Sequence, residues 1–182
     1  MNNPIKINFG CGYDIKPGWV NVDSSQLPGV DIVHDVQQVP LPFASGSISE
    51  VVCQDIFEHI EYIPVLKDIF RILQPGGTIT IRVPHFTSKN SYTDPTHKKI
   101  FAIRTFDFFT THPPKGRGYY HNFSFTKMVK KIITFERSSR WFLYNAIVSR
   151  IVNYSARNQY IYESTGWSRI FPAENIEITL RK

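Results

Sequence analysis

The chain has few cysteines, no long apolar run and no basic-then-apolar leader, and each absence excludes a class of protein. Its 182 residues include only two cysteines, Cys11 and Cys53, too few for the disulfide framework of a small secreted domain. No stretch approaches the roughly 18 consecutive apolar residues that predict a membrane-spanning helix. Residues 1–4 lead directly into a strand-like run and do not resemble a signal peptide. These absences predict a reduced, cytoplasmic protein.

Internal repeats, low-complexity tracts and linker-like stretches are also absent from the sequence. A chain of this length can bury a hydrophobic core and fits one domain. We therefore predict a single domain over residues 1–182.

The charge is distributed unevenly along this domain. Residues 1–85 contain 5 Lys+Arg and 9 Asp+Glu, whereas residues 86–182 contain 16 and 6, and the formal net charge is +6. A basic second half predicts an acidic partner, such as a nucleic acid, an anionic membrane surface or a phosphate-bearing substrate. A solvated basic face without a partner is the alternative.

The main local signal is a short apolar run that ends in two glycines. The run from Ile5 breaks at Gly10 and Gly12, and a second run from Trp19 ends at Asp23. In α/β sheets this pattern holds an adenine nucleotide-like ligand, because glycine lets the backbone approach it and the carboxylate accepts hydrogen bonds from ribose hydroxyls. The predicted ligand contacts are Phe9, Gly10, Cys11, Gly12 and Asp23.

Further motifs follow in a fixed order: Asp31–Val36, Leu41–Phe43, Ile48–Cys53, Glu58–Ile60 and Arg71–Gly77. Over residues 5–84 this series resembles the class I S-adenosylmethionine-dependent methyltransferases, in particular the small type-11-like group. The resemblance implies an α/β, Rossmann-like, doubly wound sheet of seven mostly parallel strands with one antiparallel strand. It also implies S-adenosylmethionine as cofactor, bound by residues 1–85.

The resemblance assigns further roles along this half. It implies that Asp35 binds the adenine amino group, Val36 packs on the adenine ring and Gln54 lies near the methionine or adenine part. A helix N-cap is the alternative for Asp35. Glu58 and His59 are interpreted as support for a loop rather than as an acid/base pair.

One departure from the family concerns the first crossover. Residues Tyr13 to Gly18 alone separate Gly12 from Trp19, too few for the roughly 10-residue connection that usually carries a helix between parallel strands. We expect the first crossover helix to be shortened or missing, with backbone amides contacting the cofactor instead.

Residues 86–182 are expected to form the substrate side, with a lid-like insertion near 86–122 and the C-terminal strands. Asn90–His97 resembles a smaller group of these methyltransferases that is often found among genes for surface-polysaccharide assembly. This implies O-methylation of a saccharide or glycolipid precursor. An RNA methyltransferase, favoured by the basic half and its aromatics, and a non-catalytic cofactor-binding module are the alternatives. Many enzymes that methylate exocyclic amino groups of bases carry the signature Asn-Pro-Pro-Tyr or Asp-Pro-Pro-Tyr. Both are absent from this sequence, so a nucleic acid is the less favoured partner.

A hydroxyl acceptor needs a proton acceptor that works near neutral pH, and histidine is the usual choice. We predict that His97 is this base, oriented by Asp94 or by a neighbouring loop carboxylate, with His85 as the second candidate. A turn in which Asp94 binds its own backbone is the alternative. No metal site is expected.

Two C-terminal strands are predicted, at 123–136 and 174–180. The region between them is rich in apolar residues and arginine. Trp141, Phe142, Tyr144, Ile147, Val148, Ile151 and Val152 alternate with Arg137, Arg140, Arg150 and Arg157. This predicts a helix on an anionic membrane surface, at the inner face, that brings the enzyme to a lipid-linked saccharide. A core-facing helix with solvated arginines is the alternative.

Overall fold

The computed structural model describes residues 4–138, 140 and 142–182, and a seven-stranded sheet forms its centre. The strands are β1 (Ile5–Phe9), β2 (Val20–Asp23), β3 (Ile32–Val33), β4 (Ile48–Gln54), β5 (Leu73–Pro84), β6 (Lys127–Ile133) and β7 (Asn175–Arg181). Their spatial order is β3-β2-β1-β4-β5-β7-β6. Only β7 runs antiparallel to its neighbours, β5 and β6. The predicted seven-stranded α/β sheet with one antiparallel strand is confirmed.

The helices are α1 (Tyr62–Ile72), α2 (Asn90–Thr93), α3 (Phe142–Val152), α4 (Ala156–Ser164) and α5 (Trp167–Ile170), with 3₁₀ segments at Thr105–Phe109 and Pro114–Tyr120. Trp141, which was assigned to the arginine-rich stretch, lies outside the described residues. None of the helices in the described ranges has both the length and the apolarity to cross a membrane.

Helix α1 packs one apolar face into the core. Its buried side chains are Val65, Leu66, Ile69 and Ile72, and full burial of each contributes about 1.5–3 kcal/mol. The helix ends before Leu73 because that residue already pairs with Ile48 of β4. Strand β5 therefore begins directly after α1, at Leu73, and extends to Pro84.

The connection from β1 to β2 contains no helix within the described residues 10–19, as predicted. A buried polar network holds it instead. The Asn8 side-chain amide donates to the Asp14 carbonyl at 2.7 Å and to Asn21 Oδ1 at 3.1 Å. Asn21 Oδ1 also accepts from the Lys16 N–H at 2.9 Å, and the Asn21 N–H donates to Asp31 Oδ2 at 2.7 Å.

The C-terminal helices attach to the sheet and to residues 86–122 through side chains. The Asn153 side chain donates to the Ile133 carbonyl and accepts from the Ile133 N–H, at 2.7 and 2.8 Å. Glu163 Oε1 accepts from the Ile103 N–H at 2.7 Å. These bonds connect α3 and α4 to β6 and to the segment that follows β5.

The network around Asn21 predicts a measurable stability effect. Asn21→Ala should lower the free energy of unfolding by about 2–4 kcal/mol, because it removes the acceptor of one N–H of the buried Asn8 amide and of the Lys16 N–H. Urea unfolding measures this change. Asn122→Ala, at an exposed position, is the control, and a loss no larger than that of the control would show that the network does not hold the loop.

Candidate functional site

The carboxyl ends of the parallel strands β1, β2, β4 and β5 meet at one edge of the sheet. Parallel strands always present these ends together, which is where ligands bind in open α/β sheets. The edge carries the Gly10–Gly12 loop after β1, Asp23 at the end of β2, Gln54 at the end of β4 and Pro84 at the end of β5.

The two glycines of the loop serve different purposes. Both have left-handed backbones, with φ of +58° at Gly10 and +49° at Gly12. A Cβ on Gly10 would lie 2.5 Å from Cδ1 of Ile56, whereas a Cβ on Gly12 would meet nothing within 4 Å. Gly10 thus allows close packing inside the protein, and Gly12 leaves open space in which a ligand can approach the backbone.

Asp23 is fixed beside this open space. Its Oδ2 accepts from the Gly12 N–H at 2.8 Å and its Oδ1 accepts from the Ser25 N–H at 2.9 Å. Each carboxylate oxygen has a further lone pair, so both can still accept from a ligand. The neighbouring Cys11 is buried, and burial followed by the charge of Asp23 raises the pKa of its thiol.

Gln54 offers an unused acceptor at the same edge. Its Oε1 is buried and has no hydrogen-bond partner. A buried acceptor without a donor is unfavourable by about 1–3 kcal/mol, and a ligand with an N–H group would satisfy it.

The remaining predicted cofactor residues have different surroundings. Phe9 is buried and packs edge-on against Phe43 with ring centroids 6.1 Å apart. Val36 belongs to the hydrophobic core. Asp35 is exposed and accepts from the Gln37 N–H at 2.9 Å. No helix follows it within the described residues 36–47, so the alternative of a helix N-cap is wrong.

A cleft of about 760 Å³ lies beside the ends of β4 and β5. It is lined mainly by polar and charged side chains from four parts of the chain: Asp55, Glu58, His59, Arg82, Pro84, Asn90, Thr93, Asp94, Pro95, His97, Glu174 and Asn175. The structure thus brings the predicted Asp94 and His97 into one cleft.

The chain turns sharply into this cleft at Asp55. Asp55 has a left-handed backbone with φ of +54°, which is uncommon for a residue other than glycine. Its N–H donates to the Arg82 carbonyl at 2.9 Å, and Arg82 Nε donates to its Oδ1 at 3.0 Å. The ion pair raises the pKa of Arg82, and these contacts keep the end of β4 in its strained turn.

Glu58, His59 and His97 form a cluster at the cleft, named here the Glu–His–His cluster. One potential ligand atom from each lies within 4.8 Å of the others. Glu58 is only 1% exposed, and neither of its carboxylate oxygens has a hydrogen-bond partner. Burial raises the pKa of Glu58 to about 7. Nδ1 of His97 is likewise buried without a partner.

The two histidines of the cluster are in direct contact. Their ring centroids are 4.6 Å apart in an edge-on arrangement. Burial, and then the neighbouring His97, lower the pKa of His59. The lowered pKa favours the neutral imidazole of His59, which has a free lone pair.

Asp94 lies in the cleft, but its side chain does not contact His97. Its Oδ1 accepts from the Thr96 N–H at 2.8 Å and from the Thr96 hydroxyl at 2.6 Å, as in the turn that was the alternative interpretation. Thr96 Oγ1 in turn lies 2.8 Å from Nδ1 of His59. The prediction that Asp94 orients His97 is thus replaced by a link from Asp94 through Thr96 to His59.

His85, the second predicted base, is fully buried. Its Nδ1 accepts from the Thr87 N–H at 3.1 Å, so Nε2 carries the proton and donates to Glu163 Oε1 at 3.0 Å. Both ring nitrogens have partners within the protein. His85 thus connects the end of β5 with α4, and it is not among the residues that line the cleft.

Glu58, His59 and Thr96 are the site residues that sequence reasoning missed. The Glu58–His59 pair was noticed and interpreted as support for a loop. Its proximity to His97 depends on backbone hydrogen bonds from Lys98 and Lys99 to the Glu58 carbonyl, at 2.7 and 3.1 Å. These backbone hydrogen bonds join two segments that are distant in the sequence, and no sequence pattern predicts them.

Known proteins resemble this chain over part of its sequence and in its fold. Residues 8–81 match the family model described as a methyltransferase domain. No curated protein matches. A SAM-dependent methyltransferase from Archaeoglobus fulgidus superposes with a TM-score of 0.62 at 18% identity, over 98% of this chain and 86% of that one.

Two further solved structures share the fold. The YcgJ protein from Bacillus subtilis has a TM-score of 0.58 and 12% identity, over 99% of this chain and 92% of that chain. Phosphoethanolamine N-methyltransferase 2 from Haemonchus contortus, solved in complex with S-adenosyl-L-methionine, has a TM-score of 0.57 and 16% identity, over 100% of this chain and 49% of that chain.

The different surroundings of the two glycines predict different effects of the same substitution. Gly12→Ala should lower the free energy of unfolding by about 1–2 kcal/mol, the strain of a left-handed alanine. Gly10→Ala should lower it by about 1–3 kcal/mol more, because its methyl group overlaps Ile56. Thermal or urea unfolding measures both.

Gly46→Ala is the matched control for this comparison, since Gly46 has φ of +70° and open space at its Cβ position. Gly12→Ala and Gly46→Ala should lose similar stability. Equal losses at Gly10 and Gly12 would contradict the assignment of Gly10 to internal packing.

Proposed function

We propose that this chain is a class I S-adenosylmethionine-dependent methyltransferase of the type-11-like group, on the basis of the match of residues 8–81 to the methyltransferase-domain model, and that it methylates a hydroxyl group of a saccharide or glycolipid precursor. S-adenosylmethionine is the methyl donor. The observation that carries the choice of acceptor is the polar cleft, in which the Glu–His–His cluster places unpartnered proton acceptors among hydrogen-bonding side chains.

The residues at the strand ends fit S-adenosylmethionine. Gly12 leaves space beside the backbone, Asp23 has free lone pairs for the ribose hydroxyls, and Gln54 Oε1 can accept from an N–H group of the cofactor. When bound, the cofactor supplies a methyl group on a positively charged sulfur, which makes that carbon electrophilic. The protein must then orient the acceptor and remove its proton.

The cleft offers the hydrogen-bond partners that a polyhydroxyl acceptor needs. Carboxylates accept from hydroxyl groups, whereas the side chains of Arg82, Asn90 and Asn175 can donate to hydroxyl and ring oxygens. The Glu–His–His cluster lies in the same cleft, so an acceptor bound there has a group nearby that favours loss of the hydroxyl proton.

An apolar and basic surface supports a lipid-linked form of this acceptor. The surface, named here the α3–α5 surface, exposes Phe142, Leu143, Ile147, Ile151, Tyr154, Trp167 and Ile170, with exposed arginines at 140, 150, 157 and 169. Val152 is buried and Val148 packs against the core, so one side of α3 faces the core while its other apolar side chains are exposed. Apolar side chains beside arginines are typical of elements that bind anionic membrane surfaces.

A groove opens on the α3–α5 surface. It has a volume of about 290 Å³, and Val148, Ile161 and Phe171 line it together with the exposed Ile151 and Trp167. An apolar groove of this kind can accept an acyl chain. We therefore propose that the enzyme acts at the inner membrane face, where the saccharide is held on a lipid.

Substitution of His97 tests the proposed reaction. His97→Ala should lower the rate of methyl transfer to a sugar-phosphate or lipid-linked saccharide at least tenfold, because the cluster then no longer assists proton removal. Affinity for S-adenosylmethionine, measured by titration calorimetry, should change less than about twofold, since the cofactor residues are untouched.

The matched control is His112→Ala, at an exposed histidine outside the cleft, which should retain full activity. Equal losses of turnover and cofactor affinity in His97→Ala would assign His97 a structural role. Activity only on RNA, with affinity that falls steeply with salt, would overturn the saccharide proposal.

Liposome flotation tests the membrane proposal. The protein should float with vesicles that contain phosphatidylglycerol at low salt and bind neutral vesicles less well. Leu143→Glu with Ile147→Glu should abolish flotation, because both side chains are exposed on the α3–α5 surface.

Val33→Glu replaces an exposed valine of β3 and should leave flotation unchanged. Absence of flotation at low salt would remove the membrane from the proposal.

A further inference from the structure

We propose that Glu58, His59 and His97 bind one divalent first-row transition-metal cation. The three side chains come from two segments, the connection after β4 and the segment before Lys98, and each offers one ligand atom within 4.8 Å of the others. Two imidazoles and a carboxylate are a common protein ligand set for such cations.

The cluster lacks the partners that a stable buried site requires. Glu58 is 1% exposed, and both of its carboxylate oxygens are without hydrogen-bond donors. Nδ1 of His97 is also buried and unpartnered. Buried ionisable groups are normally paired, hydrogen-bonded or bound to metal. No cation-bearing side chain pairs with Glu58 among the described residues, and a bound cation would provide the missing partner.

The donor atoms select the class of cation. Nitrogen ligands suit Zn²⁺ and its neighbours, whereas Mg²⁺ and Ca²⁺ prefer oxygen. At metal–ligand distances of about 2.0–2.2 Å, tetrahedral ligands lie about 3.4 Å apart. The cluster is therefore slightly open, and side-chain rotations that move atoms by about 1 Å would close it around the ion.

A second layer of hydrogen bonds already orients one of the ligands. The Thr96 hydroxyl donates its proton to Asp94 Oδ1, so its oxygen must accept from Nδ1–H of His59. The proton on Nδ1 leaves the lone pair on Nε2 free for a metal. Such outer contacts from a carboxylate through a polar group to histidine are typical of metal sites, where they fix the tautomer and raise ligand basicity.

The catalytic consequence rests on the proposed function, whereas the binding itself does not. With three protein ligands, a cation keeps a position for the acceptor hydroxyl and lowers its pKa. The hydroxyl proton leaves to solvent water, and the oxygen lone pair forms the new C–O bond. The C–S bond breaks as its electron pair returns to sulfur, which becomes a neutral thioether. His97 then acts as a ligand and not as a free base.

Zn²⁺ binding to the full-length chain tests the proposal directly. Protein stripped with a chelator should bind one equivalent of Zn²⁺ in titration calorimetry, and elemental analysis should show the same stoichiometry after desalting. Glu58→Gln and His97→Ala should each weaken binding at least tenfold, and His112→Ala should not change it. Circular dichroism checks that the variants are folded.

Thr96→Val provides a second test that leaves the three ligands in place. Thr96 is exposed, so the substitution is compatible with folding, and loss of its link to His59 should weaken Zn²⁺ binding roughly 10- to 100-fold. Binding below one equivalent in the native sequence overturns the proposal. Zn²⁺ binding that is unchanged in both Glu58→Gln and His97→Ala would also overturn the proposal.

The same measurements separate this inference from the proposed function. The binding assay contains neither cofactor nor acceptor, so one bound Zn²⁺ without methyl transfer leaves the metal site standing and removes the function. Methyl transfer to a saccharide by chelator-treated protein that binds no Zn²⁺ would remove the metal site and leave the proposed function standing.

Discussion

The candidate site depends on two backbone hydrogen bonds. The N–H groups of Lys98 and Lys99 both donate to the carbonyl of Glu58, and they hold the segment after α2 against the end of β4. Because only main-chain atoms take part, the side chains of Glu58 and His97 remain free to face each other. The end of β4 and the residues after it supply one side of the cleft, and residues 90–97 supply another. These two bonds join them, together with the contact between His59 and Thr96.

Polar side chains also stabilise the connection between β1 and β2, which has no helix in the described residues 10–19. Here the chain uses the buried amides of Asn8 and Asn21 and the carboxylate of Asp31. The two amides bind the Asp14 carbonyl and the Lys16 N–H of the connection, which supplies the partners that these buried backbone groups require. Asp31 accepts from the Asn21 N–H of β2. The result is a short connection that leaves Gly12 and Asp23 accessible at the edge of the sheet.

The fold could be predicted from the sequence further than the site could. Alternating apolar runs and the glycine motif identified the sheet, and the short distance from Gly12 to Trp19 indicated the missing helix, because these features are local in the chain. The surroundings of His85 and His97 were not predictable in this way. His85 is buried by Glu163 from a distant helix, and His97 meets Glu58 only through tertiary contacts. The histidines in the sequence can be identified as candidate proton acceptors, but their hydrogen-bond partners in the folded chain determine which of them can bind a proton or a ligand.

The two edge strands of the sheet, β3 and β6, restrict how copies of this protein can associate. At one end β3 is only two residues long, and at the other β6 carries Lys127, Lys130 and Lys131. Very short strands and lysine-rich strands are both poor templates for pairing with another chain. Strand addition and edge-to-edge aggregation are therefore disfavoured, which leaves helices and loops as the surfaces through which this molecule can associate.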